Sequence, residues 1–385
     1  MKRNLILINF AAFFLWLAMY SYVPTLPAFA ASLGATAVML GVIGGAYGLM
    51  QILLRIPLGI FADKTGKDKL LLIIGFIILT LSAVLFLFSD TVEAVVFARG
   101  VAGAAAAWWV IISASYAKYN EESKQVKAQG VLSASSSMGK VLAALLGGLS
   151  AQFLGLRAPF YVALIAALTG LVAMFFLKAP AKPETRTPPT VKELLSLLKN
   201  RELVIISVLC LFAQLNCFAI PSYFTSVAAE NIGADPGQLG GLMLVYFLTV
   251  ALISLFVGGR LYQKIGGIKI VVASFILCAF SCIPMFYHMN LMVIYLMQVI
   301  SGIGYGILTS ALAGFVIKAV EPHQRSTATG IFQSLYAIGI FVGPVIAGGV
   351  IEAVSFDAAY WVIGIITVAA AVLCGLLLPK KYGKM

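Results

Sequence analysis

Charged residues are scarce in this chain of 385 residues. Only 10% of the residues are charged, 62% are hydrophobic, and the mean hydropathy is +1.03. A soluble domain needs a much larger polar share to cover its surface, so this composition excludes an ordinary soluble protein. It predicts a polytopic membrane protein that lies in a lipid bilayer and binds no nucleic acid.

Groups that usually carry catalysis or bind metals are also rare. The only histidines are His288 and His323, which the predicted topology places on opposite membrane faces. The five cysteines lie in apolar runs, where thiols behave as small hydrophobes, so they imply neither disulfides nor a metal cluster. The sequence has no G-x-x-x-x-G-K-[ST] loop that would indicate ATP as energy source. We expect no enzyme, no metal site and no cofactor.

Long apolar runs predict an all-α integral membrane fold with twelve transmembrane helices, numbered here as spans 1 to 12. About 20 apolar residues suffice to cross the hydrocarbon core. The spans cover residues 5–29, 37–62, 69–88, 92–117, 128–153, 159–178, 203–226, 236–262, 268–288, 291–317, 327–352 and 357–379.

The distribution of basic residues predicts the orientation in the membrane. Of 26 lysines and arginines, 22 lie at the termini or in loops on the side of the termini. The opposite loops hold only Arg157, and Arg55, Arg99 and Lys140 lie inside spans. By the positive-inside rule both termini are cytoplasmic. A bacterial inner (plasma) membrane fits this bias, and we expect a monomer.

The sequence predicts two six-helix halves. Residues 1–178 form the first, residues 179–202 a cytoplasmic linker that ends in a short amphipathic helix, and residues 203–385 the second. The halves repeat at an offset near 200 residues, because the spacing of Gly130, Gly139, Gly147 and Gly148 in span 5 recurs in span 11. There the pattern holds Gly339, Gly343 and Pro344. Two such repeats with a binding site between them are typical of secondary transporters.

The loop between spans 2 and 3 holds Gly59, Asp63, Lys64, Gly66 and Lys67. These residues resemble the signature G-x-x-x-D-[RK]-x-G-[RK]-[RK] of the major facilitator superfamily. Part of the pattern returns 200 residues later, with Gln263 in place of Asp63. The resemblance implies an inner gate at this loop, and Arg55 with Pro57 suggests a structural tie beside it.

The glycine pattern of span 5 resembles the antiporter signature of proton-driven exporters in that superfamily, although Ala143-Ala144 replaces the usual Gly-Pro. The resemblance implies proton-linked export in the style of the 12-helix drug:proton antiporters. Glycines at these intervals also make a smooth face for close helix packing, and this simpler interpretation stays open.

Two cations inside spans are the main candidates for substrate binding. Arg99 in span 4 resembles an arginine that the superfamily links to substrate or proton handling; the alternative is an anchor near Asp90 or Glu93. Lys140 lies near the middle of span 5, and none of the fourteen acids is at that depth. An intramembrane ammonium must face a cavity, find a counter-ion or be deprotonated, so the simplest hypothesis is an anionic or zwitterionic substrate. The alternative is a structural Lys140 that is held by helix-end carbonyls, or by Glu93 or Glu352 across the bundle.

Polar residues of spans 1, 7, 10 and 11 complete the predicted site, since those spans mostly line the central cavity in the superfamily. The candidates are Tyr22, Asn216, Tyr305, Gln333 and Tyr336. The prediction is a secondary transporter for a small organic molecule, with protons as the coupling ion and export as the direction. An uptake symporter or uniporter for a small organic anion, or a broad-specificity drug exporter, remains an alternative.

The resemblance predicts that Asp63→Asn favours inward-open states, because the Asp63 carboxylate would no longer hold the inner gate closed. Accessibility of cysteine probes on the cytoplasmic side measures this shift. Unchanged accessibility would argue against the gate.

Overall fold

A computed structural model describes residues 2–118, 125–178, 191–257, 266–321 and 324–383. Within these ranges eleven helices are long and apolar enough to cross a membrane, and a shorter apolar helix, Gly267–Phe280, forms span 9. The twelve predicted spans are therefore confirmed. The second copy of the signature loop, including Gln263, lies outside the described residues.

Most spans are single helices whose bounds lie within a few residues of the prediction. They are Ala37–Thr65 (span 2), Asp68–Leu87 (span 3), Gln125–Leu154 (span 5), Ala158–Phe175 (span 6), Pro236–Val257 (span 8), Leu291–Ala319 (span 10), Arg325–Ala353 (span 11) and Phe356–Leu377 (span 12). The linker contributes the helix Val191–Leu198. These lengths follow from the apolar runs, because each run must satisfy its backbone inside the bilayer.

Four spans are interrupted where the prediction has one helix. Span 1 divides into Lys2–Tyr20 and Leu26–Ser32, and span 7 into Arg201–Ala219 and Thr225–Asn231 with a π-helical turn between, because prolines remove backbone donors there. Span 9 ends at Phe280, ahead of a 3-10 turn that begins at Pro284. Span 4 divides into Val92–Ala107 and Trp109–Lys118. The residue between them, Trp108, donates its indole N–H to the Leu71 carbonyl in span 3 at 2.7 Å.

Both termini lie at one end of the bundle, called the inner side here after the charge prediction. Near the amino terminus, Asn4 donates to the Lys178 carbonyl at 2.9 Å. Near the carboxyl terminus, Lys381 pairs with Glu202 at 2.6 Å. These contacts tie each terminus to the inner end of its own half.

Glycines let spans 5 and 11 pack closely against the first helix of their own half. A Cβ on Gly139 or Gly147 would overlap the span 1 backbone, and a Cβ on Gly339 or Gly343 would overlap the span 7 backbone. Gly130 differs, because it is exposed and no atom of the described residues lies within 4 Å of its Cβ position. Close packing was expected of all these glycines, and at Gly130 the structure does not show it.

Glycine contacts also join the two halves on the outer side. A Cβ on Gly148 in span 5 would stand 2.7 Å from the Cα of Gly240 in span 8. At the repeat-related place, a Cβ on Gly348 in span 11 would stand 3.0 Å from the Cα of Gly41 in span 2. Two backbone contacts at 200-residue spacing therefore close the outer side.

Side chains cap helices across the same two interfaces. Glu352 at the end of span 11 accepts a hydrogen bond from the Val38 amide of span 2 at 2.8 Å. Gln152 at the end of span 5 accepts one from the Gly237 amide of span 8 at 3.1 Å. Backbone amides in the first turn of a helix have no hydrogen-bond acceptor within that helix. Each half therefore supplies a side-chain acceptor for such an amide in the other half.

We expect Gly148→Val to open the outer side, because the added methyl groups cannot fit against Gly240. The measurement is labelling of a cysteine at Ala229, a fully buried residue at the outer end of span 7, by an impermeant maleimide. Gly375→Val is the matched control, because nothing lies within 4 Å of its Cβ position. Equal labelling in both variants would contradict the closure.

Candidate functional site

Lys140 lies between the halves and faces aromatic rings. Its Nζ is 4.2 Å from the ring centroid of Trp16, 5.1 Å from that of Tyr20 and 5.9 Å from that of Phe247. The first two rings belong to span 1 in the same half, and Phe247 belongs to span 8 in the opposite half. Tyr20 and Phe247 contact each other edge to face at 5.0 Å. We call these three rings the lysine cage.

No salt bridge joins Lys140 to an acid within the part of the chain that the structure describes. Acids with ion pairs in the described residues include three at span ends: Asp90 pairs with Arg157, Asp357 with His288, and Glu202 with Lys381. The ammonium is half-buried and stabilised by ring quadrupoles, each worth about 0.5–2 kcal/mol. Among the described residues, its ammonium is therefore paired with rings and not with a carboxylate.

Arg99 is buried deep in the first half, with 3% of its surface exposed. Its Nη1 donates to the Tyr22 hydroxyl at 3.2 Å, and its guanidinium carbon lies 4.3 Å from the Tyr47 ring centroid. The Nε atom is buried without a hydrogen-bond partner. Because Arg99 is buried and bonded to Tyr22, the arrangement differs from that of an exposed anchor near Asp90 or Glu93.

Arg55 joins the two halves in the inner part of the interface. Its Nη1 donates to the Gln333 carbonyl in span 11 at 2.9 Å, and its guanidinium carbon lies 5.0 Å from the Tyr336 ring centroid. Its Nη2 donates to the Gln51 side chain one turn earlier. A predicted gating residue and two predicted lining residues therefore form one contact, which ties span 2 to span 11.

The remaining lining candidates lie apart from this contact. The Tyr305 hydroxyl donates to the Gln214 side chain at 2.9 Å. The Asn216 amide instead bonds to Cys282 and Thr367 inside the second half, both at 3.1 Å. With 2% of its surface exposed, Asn216 packs spans 7, 9 and 12 together and does not line the space between the halves. We leave it out of the site.

The signature loop forms the end of span 2 on the inner side. Gly66 ends the helix with φ +59°, a left-handed conformation that favours glycine, and its amide bonds to the Ala62 carbonyl at 2.9 Å. Asp63 and Lys64 lie in the last turn of this helix. Among the described residues, a Cβ on Gly59 would meet only Val110, at an ordinary 3.8 Å. The close helix approach expected at Gly59 is therefore absent in this arrangement.

Sequence reasoning missed the aromatic partners of the cations. Trp16 and Tyr20 are four residues apart, so one face of span 1 presents both rings, but an apolar run rich in phenylalanine obscures this spacing. Tyr47 and Tyr246 recur at the repeat offset, which was a usable signal. Phe247 follows Tyr246 and has no polar group that would distinguish it from other phenylalanines in the spans.

The repeated architecture has a counterpart in sequence comparison. The profile of the Major Facilitator Superfamily matches residues 8–228 and again residues 206–385. This chain belongs to the Major Facilitator Superfamily. It is accordingly a multi-pass membrane transporter for small molecules.

Similar proteins extend over nearly the whole chain. An uncharacterized MFS-type transporter of Methanocaldococcus jannaschii, MJ1560, is 24% identical and covers 90% of this chain and 91% of its own length. The quinolone resistance protein NorA of Staphylococcus aureus is 22% identical, over 99% of this chain and 98% of its own. The similarity to NorA supports the efflux-type antiporter branch that the sequence motifs resemble.

Solved structures of the same fold include two transporters. The crystal structure of the nucleoside transporter NupG has a TM-score of 0.79 at 15% identity and covers 98% of this chain and 99% of its own. That of the human organic anion transporter MFSD10 has a TM-score of 0.69 at 19% identity and covers 97% and 99%. At these identities the likeness concerns the fold.

We expect Arg55→Ala to loosen span 2 from span 11, because the variant loses a buried charge-assisted hydrogen bond worth about 1.5–3 kcal/mol. Spin labels at Phe61 and Arg325, exposed residues at the inner ends of the two spans, should report a longer and broader distance. Arg157→Ala is the control, since it breaks an exposed ion pair within one half. An unchanged distance in Arg55→Ala would refute the tie.

Proposed function

We propose that this protein exports a small organic anion or zwitterion in exchange for protons, with Lys140 binding the negative group. The observation that carries the proposal is an ammonium between the two halves that faces three aromatic rings and is joined to no acid by a salt bridge in the described residues. Intramembrane charges mark substrate or ion pathways by default.

The lysine cage gives Lys140 cation–π contacts, and within the described residues its ammonium makes no charge-assisted hydrogen bond to which an anion would be an alternative. A cation over a ring gains about 0.5–2 kcal/mol, and a buried charge-assisted hydrogen bond adds about 1.5–3 kcal/mol. An incoming carboxylate or phosphate therefore gains by approaching Lys140. Because Phe247 comes from the opposite half, a substrate that displaces it would also change how the halves contact each other.

Export coupled to protons is supported by the motifs and by a relative. The glycine pattern of spans 5 and 11 resembles the antiporter signature, and NorA is named for resistance to quinolones, a property that efflux explains. In the proposed cycle, the two halves rock about the interface between spans 2 and 11. At this interface Arg55 of span 2 donates a hydrogen bond to the Gln333 carbonyl of span 11. Asp63, Lys64 and Gly66 form the proposed inner gate, and Arg99 with Tyr22 is a further candidate for substrate or proton handling.

Topology and assembly belong to the same proposal. Both termini are cytoplasmic, in keeping with the basic loops on that side, and one chain in the plasma membrane is the transporting unit. Each half supplies part of the lysine cage within one chain, so a single copy suffices to build it.

A broad-specificity drug exporter is the second candidate, and the rings around Lys140 favour it. Trp16 contacts Trp109 at 5.4 Å, and Tyr47 stacks with Phe218 of the opposite half at 6.0 Å, so flat apolar compounds would find ring surfaces there. Uptake of an organic anion is the third candidate. The direction of proton-driven flux separates uptake from export.

We expect Lys140→Ala to reduce flux of carboxylate or phosphate compounds at least tenfold, because each loses its charged partner. The measurement is substrate-stimulated proton flux in proteoliposomes, with cationic dyes tested beside the anions. Lys69→Ala, which removes an exposed cation bonded to the Phe175 carbonyl, is the control and should transport normally.

Flux with cationic dyes that survives Lys140→Ala, without anion flux in the unmodified protein, would refute the anion proposal. It would then make the drug exporter the better account, with Lys140 as a structural residue.

A further inference from the structure

The Trp16 side chain has a buried donor with no acceptor. Its indole N–H makes no hydrogen bond with the described residues, although only 9% of the residue is exposed. An indole nitrogen can donate but not accept, so the missing partner must be an acceptor. The comparison with Trp108 in the same half is informative, because its indole N–H is satisfied by the Leu71 carbonyl.

The unsatisfied N–H belongs to the ring that lies closest to Lys140. The ammonium is 4.2 Å from the Trp16 ring centroid, and an ammonium is likewise a donor without acceptor capacity. The ring is held in place by Trp109 at 5.4 Å and Tyr20 at 5.6 Å. Two adjacent side chains that can only donate therefore meet where the halves face each other.

We propose that Trp16 Nε1–H and Lys140 Nζ together bind the anionic group of the substrate, a carboxylate in the first instance. One carboxylate oxygen accepts a hydrogen bond from the Lys140 ammonium, and the other oxygen accepts one from the Trp16 indole N–H. Trp16 is thus a specificity-determining residue that favours a group with a second acceptor oxygen beside the one bound to Lys140. This inference rests on the proposed function and adds a second donor to it.

The placement of the two donors suits a carrier. Trp16 and Lys140 belong to spans 1 and 5 of one half, and span 5 packs on span 1 through Gly139 and Gly147. Rocking the halves therefore leaves the pair of donors intact and separates only Phe247 from it. A site built this way presents the same two donors to both sides of the membrane.

The test is binding of benzoate to the purified full-length protein, measured by isothermal titration calorimetry. We expect Trp16→Phe to raise the dissociation constant of benzoate about tenfold, because the ring remains and the donor is lost. Trp361→Phe, which removes the indole N–H of an exposed tryptophan in span 12, is the matched control and should bind as the unmodified protein does. Phenylphosphate in the same assay distinguishes a phosphate site from a carboxylate site.

A second variant at position 16 tests whether a loss of binding in Trp16→Phe comes from misfolding. Incorporation of 3-benzothienylalanine at position 16 replaces the indole N–H by sulfur in a ring of the same shape, and it should give the same tenfold loss. Thermal unfolding of each variant checks that it is folded.

The outcomes separate this inference from the proposed function. Loss of benzoate binding in Lys140→Ala, with unchanged binding in both Trp16 variants, overturns the role of Trp16 alone. Benzoate binding that survives Lys140→Ala overturns the proposed function. Binding of phenylphosphate but not benzoate to the unmodified protein overturns the carboxylate assignment, and binding of neither overturns both proposals.

Discussion

The main physical constraint on this structure is the cost of placing the positive charge of Lys140 inside a bilayer. Hydrocarbon does not solvate an ammonium, so Lys140 must find electron-rich groups within the protein. Aromatic rings provide them without adding a negative charge, and they do so from both halves at once. The halves therefore share an electrostatic contact at Lys140, in addition to the one at Arg55, and any ligand that alters it acts on both.

Internal repetition explains how the halves meet around that contact. Span 5 and span 11 each use one set of glycines toward the first helix of their own half and another toward the opposite half. Because the repeat is about 200 residues long, the same packing solution occurs twice on the outer side. The charged groups break this symmetry, since Ile340 is the repeat counterpart of Lys140. The glycine packing therefore occurs in both halves, whereas the membrane-embedded lysine occurs in the first half alone.

Much of the fold could be predicted from the sequence, because apolar runs of bilayer length report the spans directly. Prolines in the sequence mark the breaks in spans 1, 7 and 9, but the break at Trp108 depends on a carbonyl in span 3 and has no local signal. The depth of Lys140 was readable from its position in span 5. Its cage was not, because the rings come from spans 1 and 8, and contacts between distant spans are set by tertiary packing.

Polarity alone also did not reveal which way a side chain points. Asn216 carries the amide expected of a lining residue, yet its partners lie within its own half. Gly59 and Gly130 belong to recognisable motifs, yet neither shows close packing in this arrangement, because a glycine packs closely only where its face meets another backbone. The type of each residue could be read from the sequence, but the direction in which its side chain or helix face points could not.

The caps across the outer interface have a consequence for the speed of opening. The Glu352 carboxylate is exposed, so water can replace the Val38 amide as its partner while the halves begin to separate. The amides at the starts of spans 2 and 8 are likewise hydrated as they are released. In the proposed cycle, opening of the outer side therefore exchanges one set of hydrogen bonds for another without leaving backbone groups unsolvated, which lowers the barrier to opening.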